Sequence, residues 1–292
     1  MRRLTAAAAL AGLIALPVLA QEKTYEIKLK KEAKGDRVKV ATTDAGDMTF
    51  LLEVMGQEMK KGEKKTVKLA YTEEVLARPA GEKKPTKLTR TYQTAQRVKD
   101  GGKKTFVYQG KTVLIEKKGD KYVFTADGQP LDEEDAEELE EEFNKKDDIP
   151  LENEDLMPDK PVRLNETWTV DPAKVVKAFE AGGPLTLVKD RTKVTGKLTK
   201  VYDKGGKRFG VIELDLDLGV KELKLDDQEL ATKPGSRVTA KITLDACIDG
   251  TAHTGTETGT ITFDLKGDIP NGSLAVTGTA KYDRTAEDLG AK

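Results

Sequence analysis

Short segments in which apolar and charged residues alternate make up most of the chain. In residues 24–124 the pattern begins with Tyr25, Ile27 and Leu29 on one side and charged residues on the other. Turns rich in Gly, Asp and Lys separate the successive segments. Alternation with a period of two is typical of antiparallel strands that have one solvated face. We therefore predict an antiparallel meander over this part of the chain.

The same alternation returns after residue 183 and continues to the C-terminus. Its clearest instances are residues 212–220 and 238–248, which we predict to be the best-defined strands. Residues 253–265 carry threonines on one face, with Gly255 and Gly259 on the other. Glycines inside a strand often mark a bulge, so a bend or bulge is predicted there.

A helix is predicted in the middle of the chain at residues 132–144. Ala136, Leu139 and Phe143 share one side of it, and Asp132 is placed to cap its start. The many acidic residues of this segment are expected to lie on a solvated helix face.

A second helix is predicted from stronger signals at its two ends. Asp171 stands at the capping position and Pro172 at the first helical position. Val175 and Phe179 fall on one face, and Gly182–Gly183 is expected to end the helix.

The order of strands, helix, connector, helix and strands predicts a mainly β fold. We expect a large curved antiparallel sheet or half-open barrel with two mid-chain helices. The predicted parts are a signal peptide at 1–20, a β meander with an acidic helix at 21–158, and a helix with a second β meander at 159–292. One continuous sheet through both meanders is the alternative.

The N-terminus has the features of a secretion signal. Arg2 and Arg3 precede an apolar run over residues 6–16 and a small-residue cleavage site that ends at Ala20. No cysteine lies near that site, which excludes the usual bacterial lipoprotein route. No later apolar stretch is long enough to span a bilayer. We expect cleavage after Ala20, no transmembrane segment, and a secreted or periplasmic protein without a lipid anchor.

The charge and the scarcity of histidine and cysteine exclude several classes of function. Fifty basic and 51 acidic residues give a net charge of −1, which argues against a nucleic-acid binder. One histidine and one cysteine exclude a metal site built from several such ligands and any internal disulfide. Cys247 falls on the polar face of its predicted strand, where we expect a partly exposed, unreactive thiol.

The motifs of common enzyme classes are absent from the sequence. There is no Gly-x-Ser-x-Gly element and no phosphate-binding glycine motif. His253 lies in a Thr/Gly-rich segment, where a surface side chain is expected rather than a general base. A pair of acids suited to glycoside chemistry stays open as an alternative. We expect a protein that is not an enzyme, with no catalytic residue, cofactor or metal.

The connector before the second helix carries a recognisable phrase. Pro161 and Val162 are followed by residues 165–168, which read Asn-Glu-Thr-Trp. This resembles an element of secreted bacterial proteins of unassigned function, in which Gly usually precedes Glu-Thr-Trp. Asn165 replaces that glycine here and tolerates the left-handed backbone of a tight turn. The order of signal, amphipathic strands and mid-chain helices is also similar to the order found in half-open barrels of the periplasmic lipoprotein-carrier type. This second resemblance implies a fold and no catalytic motif.

An open curved sheet has an apolar concave face that needs a cover. The two predicted helices carry only three or four apolar residues each, so we expect incomplete cover and a hydrophobic groove. Such a groove suits an acyl chain or an apolar segment of a partner. We predict a non-enzymatic binding module for a hydrophobic or amphipathic ligand, such as a lipid or a lipoprotein. The candidate lining residues, each with ordinary core packing as its alternative, are Trp168, Phe143, Phe179, Leu214, Leu216, Ile242 and Leu244.

Two further expectations accompany this prediction. Trp168 is expected to be an anchor at the entry to the second helix, with its indole N–H donating to a nearby carbonyl. The rival function is a structural or interaction component of the cell envelope whose sheet is filled by its own side chains. The candidate partners are therefore a lipid or other apolar ligand and an envelope protein.

Overall fold

The computed structural model describes residues 23–80, 82, 84–144, 151, 153–180, 185–225 and 228–291. The predicted signal peptide and the predicted end of the second helix at Gly182–Gly183 lie outside the described residues. None of the helices in the described ranges has the length and hydropathy needed to cross a membrane.

Strands dominate the described residues, and most of them are joined by tight turns. The strands are β1 Thr24–Tyr25, β2 Arg37–Val54, β3 Gln57–Ala77, β4 Lys87–Lys99, β5 Gly102–Thr105, β6 Thr112–Lys118, β7 Lys121–Ala126, β8 Gln129–Pro130, β9 Val162–Arg163, β10 Thr167–Thr169, β11 Leu185–Lys204, β12 Lys207–Leu225, β13 Gln228–Ala231, β14 Arg237–Cys247, β15 Gly255–Ile269 and β16 Gly272–Asp288. The helices are α1 Glu137–Phe143 and α2 Pro172–Glu180, with a short 3-10 helix at Asn153–Leu156.

Fourteen strands form one open antiparallel sheet. Its order is β10-β11-β12-β14-β15-β16-β2-β3-β4-β6-β7-β8, with β13 beside β12 and β5 beside β4. Strand β16 pairs with β2 along its whole length and so joins the last strand of the chain to one of the first. The sheet is not closed, which confirms the predicted mainly β fold with two helices. Strands from both sides of residue 158 belong to this sheet, and a domain boundary there stays a prediction.

One face of the sheet, called here the inner face, carries two separate hydrophobic clusters. Val38 and Val40 of β2 pack into one cluster, and Met48 and Phe50 of the same strand pack against the other. Residues two apart in a strand point to the same side, so both clusters lie on one face. The α1 cluster includes Tyr92, Tyr108, Ile115, Phe124 and Phe143, and the α2 cluster includes Trp168, Phe179, Leu198, Ile212, Leu214 and Ile248.

Helix α2 begins where the sequence predicts. The Asp171 carboxylate accepts the Ala173 N–H at 2.9 Å, and Pro172 is the first helical residue. Val175 and Phe179 are buried in the α2 cluster. The predicted cap, start and buried face of this helix are therefore confirmed.

Helix α1 begins five residues later than predicted. The Asp132 carboxylate accepts the Asp135 N–H at 2.8 Å in a separate turn, so Asp132 does not cap the helix and that part of the prediction is wrong. The Ala136 N–H donates to the Asp132 carbonyl at 2.9 Å in that turn, and the hydrogen bonds of α1 itself start from the Ala136 carbonyl. The predicted apolar side is confirmed, because Ala136, Leu139 and Phe143 are all buried.

A bulge in β15 and an exposed Cys247, two of the options predicted near the C-terminus, are wrong for packing reasons. Strand β15 keeps its register with both neighbours and has no bulge. Gly259 instead makes room for an aromatic ring, since a Cβ there would overlap the Tyr282 side chain. Cys247 is buried rather than partly exposed, because Phe209 and Ala252 pack against it where β14 ends.

Candidate functional site

Within the described part of the chain, the two helices leave the middle of the inner face uncovered. Helix α1 packs on β7 and α2 packs on β11, near opposite edges of the sheet. Between them lie two neighbouring cavities of about 570 and 730 Å³. Glu142, Glu257 and Arg284 line both cavities, which we describe together as the groove. Each volume is within the range of about 300–1,000 Å³ that is usual for ligand pockets.

Strands β15, β16 and β2 form the floor of the groove in three successive rows. The register places one residue of each strand in every row, and the rows follow each other along the groove. The first row is charged, the second combines a ring with a carboxylate, and the third is small and apolar. These rows are Glu257–Arg284–Thr42, Gly259–Tyr282–Asp44 and Ile261–Ala280–Gly46.

Aliphatic side chains line both ends of the groove around this polar floor. The smaller cavity is bordered by Leu244 and Ala246 of β14 and by Val40, Leu88 and Phe143 on the opposite side. The larger cavity is lined by Met48, Val67, Leu69 and Ile261. The groove therefore offers apolar surface beside a short polar stretch. This arrangement is complementary to the apolar and polar parts of an amphipathic molecule.

Arg90 connects α1 to the sheet at the edge of the groove. Its Nε donates to Glu73 at 2.7 Å, and its two terminal nitrogens donate to both oxygens of Glu142 at 2.7 Å. Its guanidinium also lies 4.3 Å from the centre of the Tyr71 ring. Burial raises the pKa of Glu142, but the charge and hydrogen bonds of Arg90 outweigh it and leave the pKa below its usual value.

Other acids of α1 are paired as well. Glu138 lies 2.9 Å from the Lys65 ammonium and 3.0 Å from the Arg97 guanidinium, and Glu137 lies 2.7 Å from Arg97. The predicted solvated acidic face is therefore wrong for Glu138, whose side chain is only 10% exposed because cations on β3 and β4 bind it. The helix is attached to the sheet by charge as well as by Leu139 and Phe143.

None of the three charged floor residues, Glu257, Arg284 and Asp44, has an ion pair with a described residue. The side chains of Arg284 and Asp44 are open to solvent inside the groove. The protein around the groove partly desolvates Arg284, which lowers its pKa, but the nearby Tyr71 and Glu257 have the larger opposite effect and raise the pKa. Desolvation raises the pKa of Asp44, although the Thr42 hydroxyl donates to it at 2.9 Å.

Glu257, which faces Arg284 across the strand pair, is occupied by other donors. The Tyr282 hydroxyl donates to its Oε1 at 2.8 Å. The Asn153 amide donates to its Oε2 at 3.2 Å, which ties the connector before α2 to the floor.

The N-terminal segment before β2 borders the smaller cavity and is fixed by a charged network. Lys30 lies 2.9 Å from Asp36 and 3.1 Å from Asp288 at the end of β16. The His253 ring lies 3.2 Å from the Asp36 carboxylate, and only 13% of its side chain is exposed. The prediction of a surface histidine is therefore wrong, because this network encloses it.

Three of the predicted lining residues belong to the α2 cluster and line neither cavity of the groove. Trp168, Phe179 and Leu214 are buried there, away from the groove. The Trp168 indole N–H donates to the Leu156 carbonyl at 2.9 Å, which confirms its predicted role as an anchor. Asn165 has a φ of 65°, so the left-handed backbone expected at this residue is also confirmed.

Of the other four predicted residues, two line the groove and two do not. Phe143 and Leu244 line the smaller cavity from opposite sides. Leu216 and Ile242 are half-buried beside the α2 cluster. Ligand contact by any of them stays a prediction.

Sequence reasoning missed the residues of the polar floor. Arg284, Tyr282, Glu257 and Asp44 are far apart in the chain and meet only through strand pairing. The sequence feature that could have indicated them is the polar run at residues 41–47, which is typical of a strand without a buried side. Among the residues that the structure describes, no group of three or more His, Cys, Asp or Glu is arranged to hold a metal ion.

Comparison with known proteins gives only distant likenesses of fold. No family model matches the chain. No curated protein matches it either. A structure of lipovitellin, from work on its lipid–protein interactions, overlaps 90% of this chain at 10% identity with a TM-score of 0.37. The chain spans about a quarter of that protein, 26%. An outer membrane channel from Pseudomonas putida F1 overlaps 90% of this chain and 98% of its own at 11% identity with a TM-score of 0.21. At these TM-scores neither likeness carries an argument about function.

Proposed function

We propose that the protein is a non-enzymatic binding module for a hydrophobic or amphipathic ligand, held in the groove of the inner face. The observation that carries this proposal is the gap in cover between α1 and α2, where aliphatic walls enclose a polar floor. Burying an alkyl chain against such walls contributes roughly 0.8 kcal/mol for each CH₂ group. The polar floor supplies partners for a head group that would otherwise be buried without hydrogen bonds.

The site of action that we propose is the periplasm or the space outside the cell. This part of the proposal is supported by the basic, apolar and small-residue segments that end at Ala20. A lipid is the kind of ligand that such a compartment would present to an open groove.

A substitution that fills the groove tests the proposal. Gly46 lies on the floor in the third row, and a Cβ built there meets no atom within 4 Å. Gly46→Trp should therefore occupy the larger cavity without straining the strand, since aromatic residues suit β-structure. The matched control is Ala41→Trp, which places the same ring at an exposed position on the other face of the same strand.

The assay is a fluorescence titration with N-phenyl-1-naphthylamine, a neutral hydrophobic dye. We expect saturable binding to the wild type and to Ala41→Trp, and at least tenfold weaker binding to Gly46→Trp. The proposal fails if the wild type shows no saturable binding, or if both variants bind as the wild type does. Absence of binding is the result that the rival envelope protein with a filled sheet predicts.

A further inference from the structure

Arg284 occupies the point where the two cavities of the groove meet. It lines both of them, in the first row of the floor between Glu257 on β15 and Thr42 on β2. A ligand that reaches from one cavity into the other must pass this guanidinium. Its position therefore suits the polar end of a molecule whose apolar part lies in one of the cavities.

The other arginines that line the groove are already matched by carboxylates. Arg90 binds Glu73 and Glu142, and Arg78 lies 3.1 Å from Glu32. Within the described ranges Arg284 makes no hydrogen bond and no ion pair, although its side chain is open to the groove. An arginine presents five N–H donors in a planar fork, and these are best satisfied by two oxygens of one acidic group.

The neighbouring acids are placed so that they do not take this role. The two oxygens of Glu257 accept from Tyr282 and Asn153. Asp44 lies in the next row of the floor, where its carboxylate accepts a hydrogen bond from the Thr42 hydroxyl at 2.9 Å. The guanidinium is thereby left available for an acid from outside the chain.

We propose that the ligand of the groove is an amphiphile with one acidic head group, a carboxylate or a phosphate, and that Arg284 binds this group through paired hydrogen bonds. This inference rests on the proposed function and gives its ligand a chemical class. The apolar part of the ligand lies against the aliphatic lining, such as Met48 and Val67 in the larger cavity.

The test compares a fluorescent fatty acid, cis-parinaric acid, with its uncharged methyl ester. We expect the wild type to bind the acid about tenfold or more tightly than the ester, as a charge-assisted arginine contact implies. Arg284→Gln should remove this preference and leave the affinity for the ester unchanged. Arg284→Lys should keep part of it, because the charge remains without the fork. Lys39→Gln removes a charge from an exposed position of β2 and should change neither affinity.

The outcomes separate this inference from the proposed function. Equal binding of acid and ester by the wild type, or an undiminished preference in a folded Arg284→Gln, would overturn the role of Arg284 alone. If neither probe binds saturably, the proposed function is overturned as well. Displacement of bound cis-parinaric acid by dodecyl phosphate and by dodecanoate then distinguishes the two head groups. If neither competitor displaces it, a site for a single acidic group is refuted.

Discussion

Replacing Arg90 by Met is expected to destabilise the α1 side of the sheet strongly. Only 6% of the Arg90 side chain is exposed, and it holds two carboxylates by three hydrogen bonds of 2.7 Å. Methionine fills much of the same volume over the Tyr71 ring, so lost packing contributes little. The main effect is that Glu73 and Glu142 lose the cation that compensates their burial.

The expected magnitude follows from the exposure of these two carboxylates. Removing one partner of a buried ion pair costs about 3–5 kcal/mol. The Glu73 side chain is only 12% exposed, but water in the groove reaches 42% of the Glu142 side chain and screens its charge. We therefore expect the lower end of the range, about 3 kcal/mol. For a chain of this size that corresponds to a decrease of about 5 °C in Tm.

Thermal unfolding followed by far-ultraviolet circular dichroism measures this loss across the whole sheet. Fluorescence of Trp168, which lies in the α2 cluster, shows whether the other half of the sheet unfolds at the same temperature. The control is Lys87→Met, which breaks the 2.6 Å pair with Glu116 on the sheet surface and should change Tm little. If Arg90→Met lowers Tm no more than Lys87→Met does, the reasoning about the buried cluster is refuted.

Two further predictions concern acid stability and the packing of the α2 cluster. Burial opposes ionisation of Asp288, but hydrogen bonds from the His253 and Gly290 amides and from Lys30 hold its pKa at about 2. Its contribution to stability is therefore present above about pH 4 and is lost as the pH falls from there through about 2. Over that range the urea midpoint should fall more for the wild type than for Asp288→Asn, and parallel curves would contradict this. Gly196→Ala places a methyl group into the Trp168 indole and should cost about 1–3 kcal/mol, with red-shifted tryptophan emission. An unchanged emission spectrum, equal to that of the uncrowded control Gly62→Ala, would show that the indole does not rest on Gly196.

The sequence predicts those strands whose inner side is buried. Residues 212–220 and 238–248 alternate regularly because β12 and β14 place every second side chain against the α2 cluster. Helix α2 was predictable from its capping residue and its proline. The start of α1 was not, because the same Asp132 side chain closes an isolated turn instead.

The floor of the groove lacks the alternation that marks the other strands. Strand β2 at residues 41–47 has water on both sides, so neither face needs to be apolar. Its neighbour β16 pairs with it across more than 200 residues of sequence, a contact that no local pattern reveals. The residues that we propose as the ligand site therefore lie where hydrophobic periodicity gives no information.

Native mass spectrometry of the protein, purified under gentle conditions from the cells that produce it, tests the central claim most directly. The intact mass is compared before and after extraction with organic solvent. The account predicts that extraction releases one defined molecule in the mass range of lipids, and that this molecule carries an acidic group. An identical mass before and after extraction, together with no saturable uptake of N-phenyl-1-naphthylamine, would contradict it.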